Sequence, residues 1–226
     1  MTTWRQQADE WLQAVLQIMF PSHCPACGAP VDLADAWCAN CLRELWRPRR
    51  LSVAERNMKH IERCQVLTEY CGAVRTLLHG LKFQRRRANA APLAWLLSLA
   101  DEAELAGLWD NDCLVIPVPL SASRRAERGY NQVTLIFAPW CRRQGLVWLD
   151  DCLVRRRPTV PQWELDRRER RENIKDAFVV NAPETIRNHS ILLVDDIVTT
   201  GRTLDECAAV LRQAGAASVS TLALAN

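Results

Sequence analysis

The sequence predicts an α/β protein: a parallel sheet flanked by helices, with a small cysteine-rich ribbon at the N-terminal end. Three observations carry this. The continuous apolar run Ile191–Val194 ends in paired acids, a Thr/Gly loop and a helical pattern. A second short apolar strand, Cys113–Pro119, also ends in a polar, arginine-bearing loop. Two Cys-x-x-C pairs stand near the N-terminus. Continuous apolar runs suit strands covered on both faces, as in parallel sheets. A length of 226 residues suits one good-sized domain plus an appendage. At 49% hydrophobic residues, wholesale disorder is excluded. With 29 basic against 26 acidic residues, the net charge of +3 does not by itself mark a nucleic-acid binder. The 10 cysteines are too sparse for a disulfide scaffold, and a chain of this length buries a core without staples.

The first 20 residues read as an amphipathic helix, with Trp4, Ala8, Trp11, Leu12, Val15, Leu16 and Met19 on one face and Arg5, Asp9, Glu10 and Gln13 on the other. It packs on its own protein or, less in keeping with its few basic residues, lies on a membrane surface. The uncharged run Trp11–Val31 is broken by Pro21, Pro25, Gly28 and Pro30, so no membrane span is expected. No export signal is recognisable, so a cytoplasmic location with reduced thiols is the expectation.

Residues 21–50 form the ribbon-like segment. Cys24-Pro25-Ala26-Cys27 and Cys38-Ala39-Asn40-Cys41 are separated by ten residues. In a reducing compartment this spacing reads as one structural zinc site of four thiolates, closed to water and unable to act catalytically. Its binding energy folds a segment too small for a core of its own. Paired redox or buried thiols are the alternative. His23 stands beside the first pair and could replace a thiolate, although four cysteines suffice. The other cysteines, among them Cys113 and Cys207 in apolar runs, read mostly as small core residues.

Residues 51–226 form the main domain, with 42–65 as its connection to the ribbon. Tyr70-Cys71-Gly72 opens a helix with Val74, Leu77, Leu78 and Leu81 on one face, ending at Lys82-Phe83. Lys82 reaches a phosphate or complements the helix dipole in solvent. After Pro117-Val118-Pro119 come Leu120, Ser121, Arg124, Arg125 and Arg128-Gly129-Tyr130-Asn131-Gln132. This is a pyrophosphate cradle, since guanidinium forks match phosphate oxygens, or else a solvated basic loop. Residues 155–175 hold eight basic and four acidic side chains around Trp163, a pattern for a functional lid or a charged surface helix.

The run Ile191–Thr203 carries the sharpest signal. Asp195 and Asp196 stand at a strand's carboxyl end, where open α/β sheets bind ligands. Thr199, Thr200, Gly201, Arg202 and Thr203 then lead into a helix that Thr203 caps and Glu206 completes as a capping box. Amides and hydroxyls at a helix N-terminus cradle phosphate. The acids suit hydroxyls, a metal ion or developing positive charge, so a ribose 5-phosphate satisfies both halves.

This run resembles the phosphoribosyl pyrophosphate (PRPP) loop of type I phosphoribosyltransferases. The resemblance implies that Asp195 and Asp196 contact the ribose and that residues 199–203 hold the 5-phosphate. Leu114–Pro119 resembles the pyrophosphate-loop strand of the same enzymes. The paired Cys knuckles, Tyr70 with Lys82-Phe83, the Pro117–Pro119 and Arg128–Gln132 segments, Thr159, Gln162, Leu165, Arg170, Asn173 and the PRPP loop together resemble the ComF family, an amidophosphoribosyltransferase-like group with an N-terminal zinc ribbon. Many of its members carry a further Cys-x-x-C where this chain has only Cys64, and Ala126 replaces a frequent basic residue. The resemblance implies a pocket for PRPP or for a phosphorylated nucleotide or DNA end, Mg²⁺ accompanying PRPP, and service in DNA uptake, natural transformation or DNA utilisation beside single-stranded DNA and a DNA-uptake helicase. As an active phosphoribosyltransferase, the chain would transfer ribose 5-phosphate to an acceptor. In that reading Asp195 and Asp196 lie beneath the ribose, and the leaving group departs toward Lys82, Arg124 and Arg128. As a sensor, it would bind without transfer.

Overall fold

The computed structural model describes residues 21–100, 102–110, 112–155 and 177–226. The expected N-terminal helix of residues 1–20 and nearly all of the basic 155–175 segment lie outside them. The first described helix, α1 (Ala39–Leu45), leads directly into β1 (Trp46–Leu51). There follow β2 (Arg63–Thr68), α2 (Gly72–Phe83), α3 (Ala90–Leu97), the short α4 (Glu102–Leu105) and β3 (Leu114–Pro117). Next come α5 (Ala122–Arg128), α6 (Gln132–Arg143), β4 (Val147–Trp148), β5 (Leu153–Arg155) and β6 (Phe178–Val180). The chain closes with β7 (Ser190–Ile197), α7 (Arg202–Gln213) and β8 (Ser218–Ala225).

Six strands form one sheet in the order β1-β2-β8-β7-β3-β4, parallel except for the β1–β2 pair. The segment expected as a plain connection, 42–65, therefore contributes the edge strand. Its register slips between Trp46 and Arg49, at Pro48, which has no amide hydrogen to give the ladder and is tolerated only on an edge. Strands β5 and β6 pair separately as an antiparallel ribbon.

Both sheet faces are covered, as the apolar strands require. On one face α2, α3 and α6 bring Leu78, Leu93, Leu97, Ile136, Phe137 and Trp140 against Leu192, Val194 and Leu222. On the other, α7 and the β5–β6 pair bring Leu204, Cys207, Leu211, Leu153 and Phe178 against Ile191, Leu193 and Val219. The cysteine ribbon joins the first face: Cys24, Trp37 and Leu45 are buried in it, and the Trp37 indole donates to the Pro92 carbonyl at 2.9 Å.

This topology creates a crevice. From β7 the chain crosses through α7 to β8 on one side, whereas from β3 it crosses through α5 and α6 to β4 on the other. The order reverses between β7 and β3, and the carboxyl end of such a switch point is where doubly wound sheets receive ligands. Pairing of Pro117 with Val194, continued by a 2.9 Å bond from the Val118 amide to the Val194 carbonyl, sets the loop after β3 beside Asp195 and Asp196.

Candidate phosphate-binding cleft and metal centre

The cleft at the switch point encloses about 340 Å³, within the range of small-molecule sites. Its walls bring together Asp195, Asp196, Thr199, Thr203, Lys82, Arg124, Arg128 and Pro119–Ser121, which the sequence had set far apart. Thr199–Thr203 also line a smaller hollow with Asp195 at the start of α7. A helix's first amides have no acceptor within the helix and carry its positive dipole end, which suits an anion.

The loop departs from expectation at one point. Helix α7 begins at Arg202 with Gly201 as its cap, so neither Thr203 nor Glu206 closes a capping box. The reason is backbone conformation. Gly201 adopts φ +79°, a left-handed value that side chains resist, and turns the chain into the helix early. A Cβ there would stand 2.4 Å from Met58 Sδ. Thr203 is thereby released to line the cleft. Glu206 sits half-buried on α7, and burial pushes its carboxyl up to about 7 against the pull of Arg202 and Arg155.

The segment joining ribbon to sheet braces this loop from behind. Met58 is buried against Gly201, the Arg56 guanidinium donates to the Thr199 carbonyl, and the His60 amide donates to Asp205 Oδ1 at 2.8 Å. The Asn226 amide completes the brace, donating to the Val198 carbonyl at 2.6 Å and accepting from Arg56 at 3.3 Å.

The two acids differ. Asp196 is almost wholly buried and accepts from Lys82 Nζ at 2.9 Å, whereas its Oδ2 is buried without a hydrogen-bond partner among the described residues. Asp195 is half-buried, and its Oδ1 accepts from the Asp196 amide at 2.8 Å. Lost hydration, and then the adjacent Asp196 charge, raise the Asp195 pKa well above the carboxylate range, with Lys82 pulling the other way. Lys82 is thus committed to an acid, where the sequence suggested a phosphate or solvent.

The arginine segment is ordered by its own residues. Ser121 is the N-cap of α5, its Oγ accepting from the Arg124 amide at 3.4 Å, so this hydroxyl also has a structural duty. Gly129 ends α5 in the left-handed region, and Asn131 caps α6 through the Val133 amide at 3.0 Å. Asn131 Nδ2 also donates to the Val118 carbonyl at 3.1 Å. The Tyr130 hydroxyl donates to the Leu81 carbonyl at 2.8 Å and fixes the end of α2, which places Lys82. Gln132 accepts from the buried Arg128 guanidinium, whose pKa burial lowers. Gln132, Phe83, Val118, Ile197 and Arg155 also line the cleft; the sequence places them within its motifs but does not single them out as site residues. Helical and strand periodicity places such residues in elements but does not show which ends converge.

The sulfurs of Cys24, Cys27, Cys38 and Cys41 lie within 4.8 Å of one another, and Cys27 and Cys38 are 3.7 Å apart. Four thiolates at about 2.3 Å from a tetrahedral Zn²⁺ stand roughly 3.8 Å apart, so this donor set fits structural zinc. Burial raises the Cys24 thiol, but hydrogen bonds from the Cys38, Cys27 and Ala26 backbone outweigh it and bring it to about 6. Burial and the neighbouring sulfurs push Cys41 up. A dication relieves that mutual repulsion. Among the described residues this is the one metal-type cluster, and it includes neither His23 nor Cys64. Cys64, Cys113, Cys141 and Cys207 are buried as core residues, whereas Cys71 is exposed.

Residues 144–226 match the phosphoribosyl transferase domain, and residues 15–74 match the double zinc ribbon domain. The DNA utilization protein YhgH of Salmonella typhimurium is 34% identical over 207 residues, covering 90% of this chain and 83% of that protein. Its counterpart in Escherichia coli O157:H7 is 33% identical over 89% of this chain and 82% of its own length. The chain belongs to the family of competence protein F and the DNA utilization proteins. Competence protein F of Haemophilus influenzae is 29% identical over 92% of this chain and 85% of its own. In this ComF-family chain the phosphoribosyl transferase match begins after α6, so Lys82, Arg124 and Arg128 come from outside it. Among the described residues, no helix is long and apolar enough to cross a membrane.

Proposed function

We propose that this chain is a ComF-like phosphoribosyltransferase-fold protein that holds PRPP, or a phosphorylated nucleotide or DNA end, in the switch-point cleft and serves DNA uptake or utilisation in the cytoplasm. One observation carries the reading. A glycine-turned helix N-terminus and an acid pair share one cleft with two arginines of helix α5. Phosphate suits the Thr199–Thr203 loop, ribose hydroxyls suit Asp195 and Asp196 Oδ2, which has no partner among the described residues, and Arg124 and Arg128 suit a second anionic group. The names of the relatives, DNA utilization protein and competence protein F, support the DNA role; single-stranded DNA and a DNA-uptake helicase are the partners proposed for it. Reduced thiols at a zinc centre agree with a cytoplasmic setting. Mg²⁺ entering with PRPP would neutralise the pyrophosphate, and Asp195 and Asp196 are the acidic donors of the cleft toward it. Calorimetry with PRPP and Mg²⁺ tests this reading: Asp195→Ala with Asp196→Ala abolishes binding, and an unchanged affinity refutes the pocket.

The arginine wall also favours transfer chemistry. Arg124 and Arg128 line the cleft and would stabilise departing pyrophosphate there, while Asp195 and Asp196 would face the positive charge developing on the ribose. Catalysis would then rest on positioning and electrostatics. Release of pyrophosphate from PRPP in the presence of one member of a panel of bases, amines and DNA ends separates an enzyme from a sensor.

A further inference from the structure

Helix α2 ends with two side chains of opposite behaviour. Lys82 turns inward to Asp196, whereas Phe83, the next residue, lines the same cleft and remains 68% exposed. Among the described residues no other large hydrophobic side chain is as exposed. The ring is not loose at the surface. His79, one turn earlier, contacts it with centroids 4.7 Å apart and planes at 43°. The backbone beyond is fixed by bonds from the Gln84 and Arg86 amides to the Gly80 carbonyl, at 3.1 and 3.2 Å. Arg85 donates to the Glu127 carbonyl, and Arg87 lies 5.0 Å above the Tyr130 ring. An aromatic face is therefore presented, already positioned, in a cleft otherwise rich in charge.

The order of groups along the cleft gives this face a meaning. The hollow at the Thr199–Thr203 loop is lined by Asp195 but not by Asp196, Lys82 or Phe83, which line only the wider cleft, where Lys82 meets Asp196. A nucleoside 5′-phosphate presents its parts in the same order: phosphate, ribose, base. We propose that Phe83, backed by His79, is the platform on which a nucleobase ring stacks when the cleft is filled. The inference rests on the phosphate-and-ribose reading above and adds the chemical class of the third group. A base-sized ring gains stacking and dispersion on Phe83, and Leu120 and Pro119 line the same cleft. Stacking is tolerant of base identity, so the platform accepts the ring of a free nucleotide or that of a terminal nucleotide in a single strand.

The test compares zinc-loaded full-length protein with Phe83→Ala, Phe83→Leu and Phe83→Tyr. Ligands are ribose 5-phosphate, a nucleoside 5′-monophosphate, and 5′-phosphorylated single-stranded oligonucleotides whose first nucleotide is normal or abasic. Thermal melts verify folding, which an exposed side chain leaves intact. Stacking predicts that Phe83→Ala weakens base-bearing ligands roughly 5- to 100-fold more than it weakens ribose 5-phosphate. Phe83→Leu behaves like Phe83→Ala, and Phe83→Tyr restores affinity. A selective loss with the mononucleotide assigns the platform to free nucleotides. A selective loss with the normal but not the abasic oligonucleotide assigns it to a DNA end. Equal effects on ribose 5-phosphate and base-bearing ligands overturn the platform while leaving the phosphate-and-ribose reading intact. Absence of any ribose 5-phosphate or PRPP binding by the unmodified protein overturns both.

Discussion

Lys82 Nζ lies 2.9 Å from Asp196 Oδ1, joining the end of α2 to the carboxyl end of β7 across the cleft. The two residues are 114 positions apart, and both are largely buried. Removing one member of such a pair strands the other charge, which is why single substitutions cost more than the pair is worth. Lys82→Met is expected to lower stability by about 2–4 kcal/mol at neutral pH. Adding Asp196→Asn to that variant recovers most of the loss. Urea unfolding of the two single variants and the double variant measures the coupling, and purely additive effects would show that the pair is not coupled.

Gly201 supports a second prediction. Alanine there incurs the left-handed backbone penalty and meets Met58 Sδ, so Gly201→Ala is expected to cost about 2–3 kcal/mol and to weaken phosphate binding. Met58→Ala opens space behind the loop. Its own cost is therefore smaller in the Gly201→Ala background than in the unaltered protein, which a four-member denaturation cycle measures.

The ribbon predicts a metal count. Protein purified without chelator contains about one zinc per chain, since the described residues hold one four-sulfur cluster. Cys41→Ser lowers the metal content, whereas Cys71→Ser, an exposed thiol outside the cluster, leaves it unchanged. Elemental analysis of the three proteins decides. Two zinc ions per chain would require ligands beyond this cluster.

Glu206 gives a pH dependence of definite sign. Its folded pKa, raised to about 7 by burial, exceeds the unfolded carboxylate value. The folded state therefore holds its proton longer, and the stabilisation is full at acid pH and lost as pH rises through about 7. Glu206→Gln removes this slope. It is expected to be more stable than the parent at pH 8 by about 1–2 kcal/mol, allowing for partial solvent screening, and to show no advantage near pH 4. Thermal melts across that range show whether the gain disappears in acid.

How the fold could be read from the chain follows from which signals are local. Apolar runs at 114–117 and 191–194 marked parallel strands because both faces of such strands are covered. The Asp195–Thr203 run was legible because acid pair, glycine turn and helix start are contiguous. The edge strand β1 was hidden by Arg47, Pro48, Arg49 and Arg50, which look like a solvated connector and fit only an edge. Lys82 was visible as the end of a helix, but its partner is set by sheet order and by the Tyr130 tether at the end of α2. Phe83 was visible only as the end of a helix and part of a family motif, and Met58 not at all, for the same reason. One is distinguished by exposure and the other by a neighbour 143 positions away, and neither property has a period.

The segment that carries Arg56, Met58 and His60 from the ribbon to β2 makes the two halves a single mechanical unit at the phosphate loop. A version trimmed to begin at β2 would keep every acid and arginine of the cleft, yet the 199–201 turn would lose its backing and the Thr199 carbonyl its donor. In hydrogen-exchange terms, the first turn of α7 is expected to open together with the strap and the β1 edge, and chelation of the ribbon's metal is expected to register as faster exchange at the amides proposed to hold phosphate.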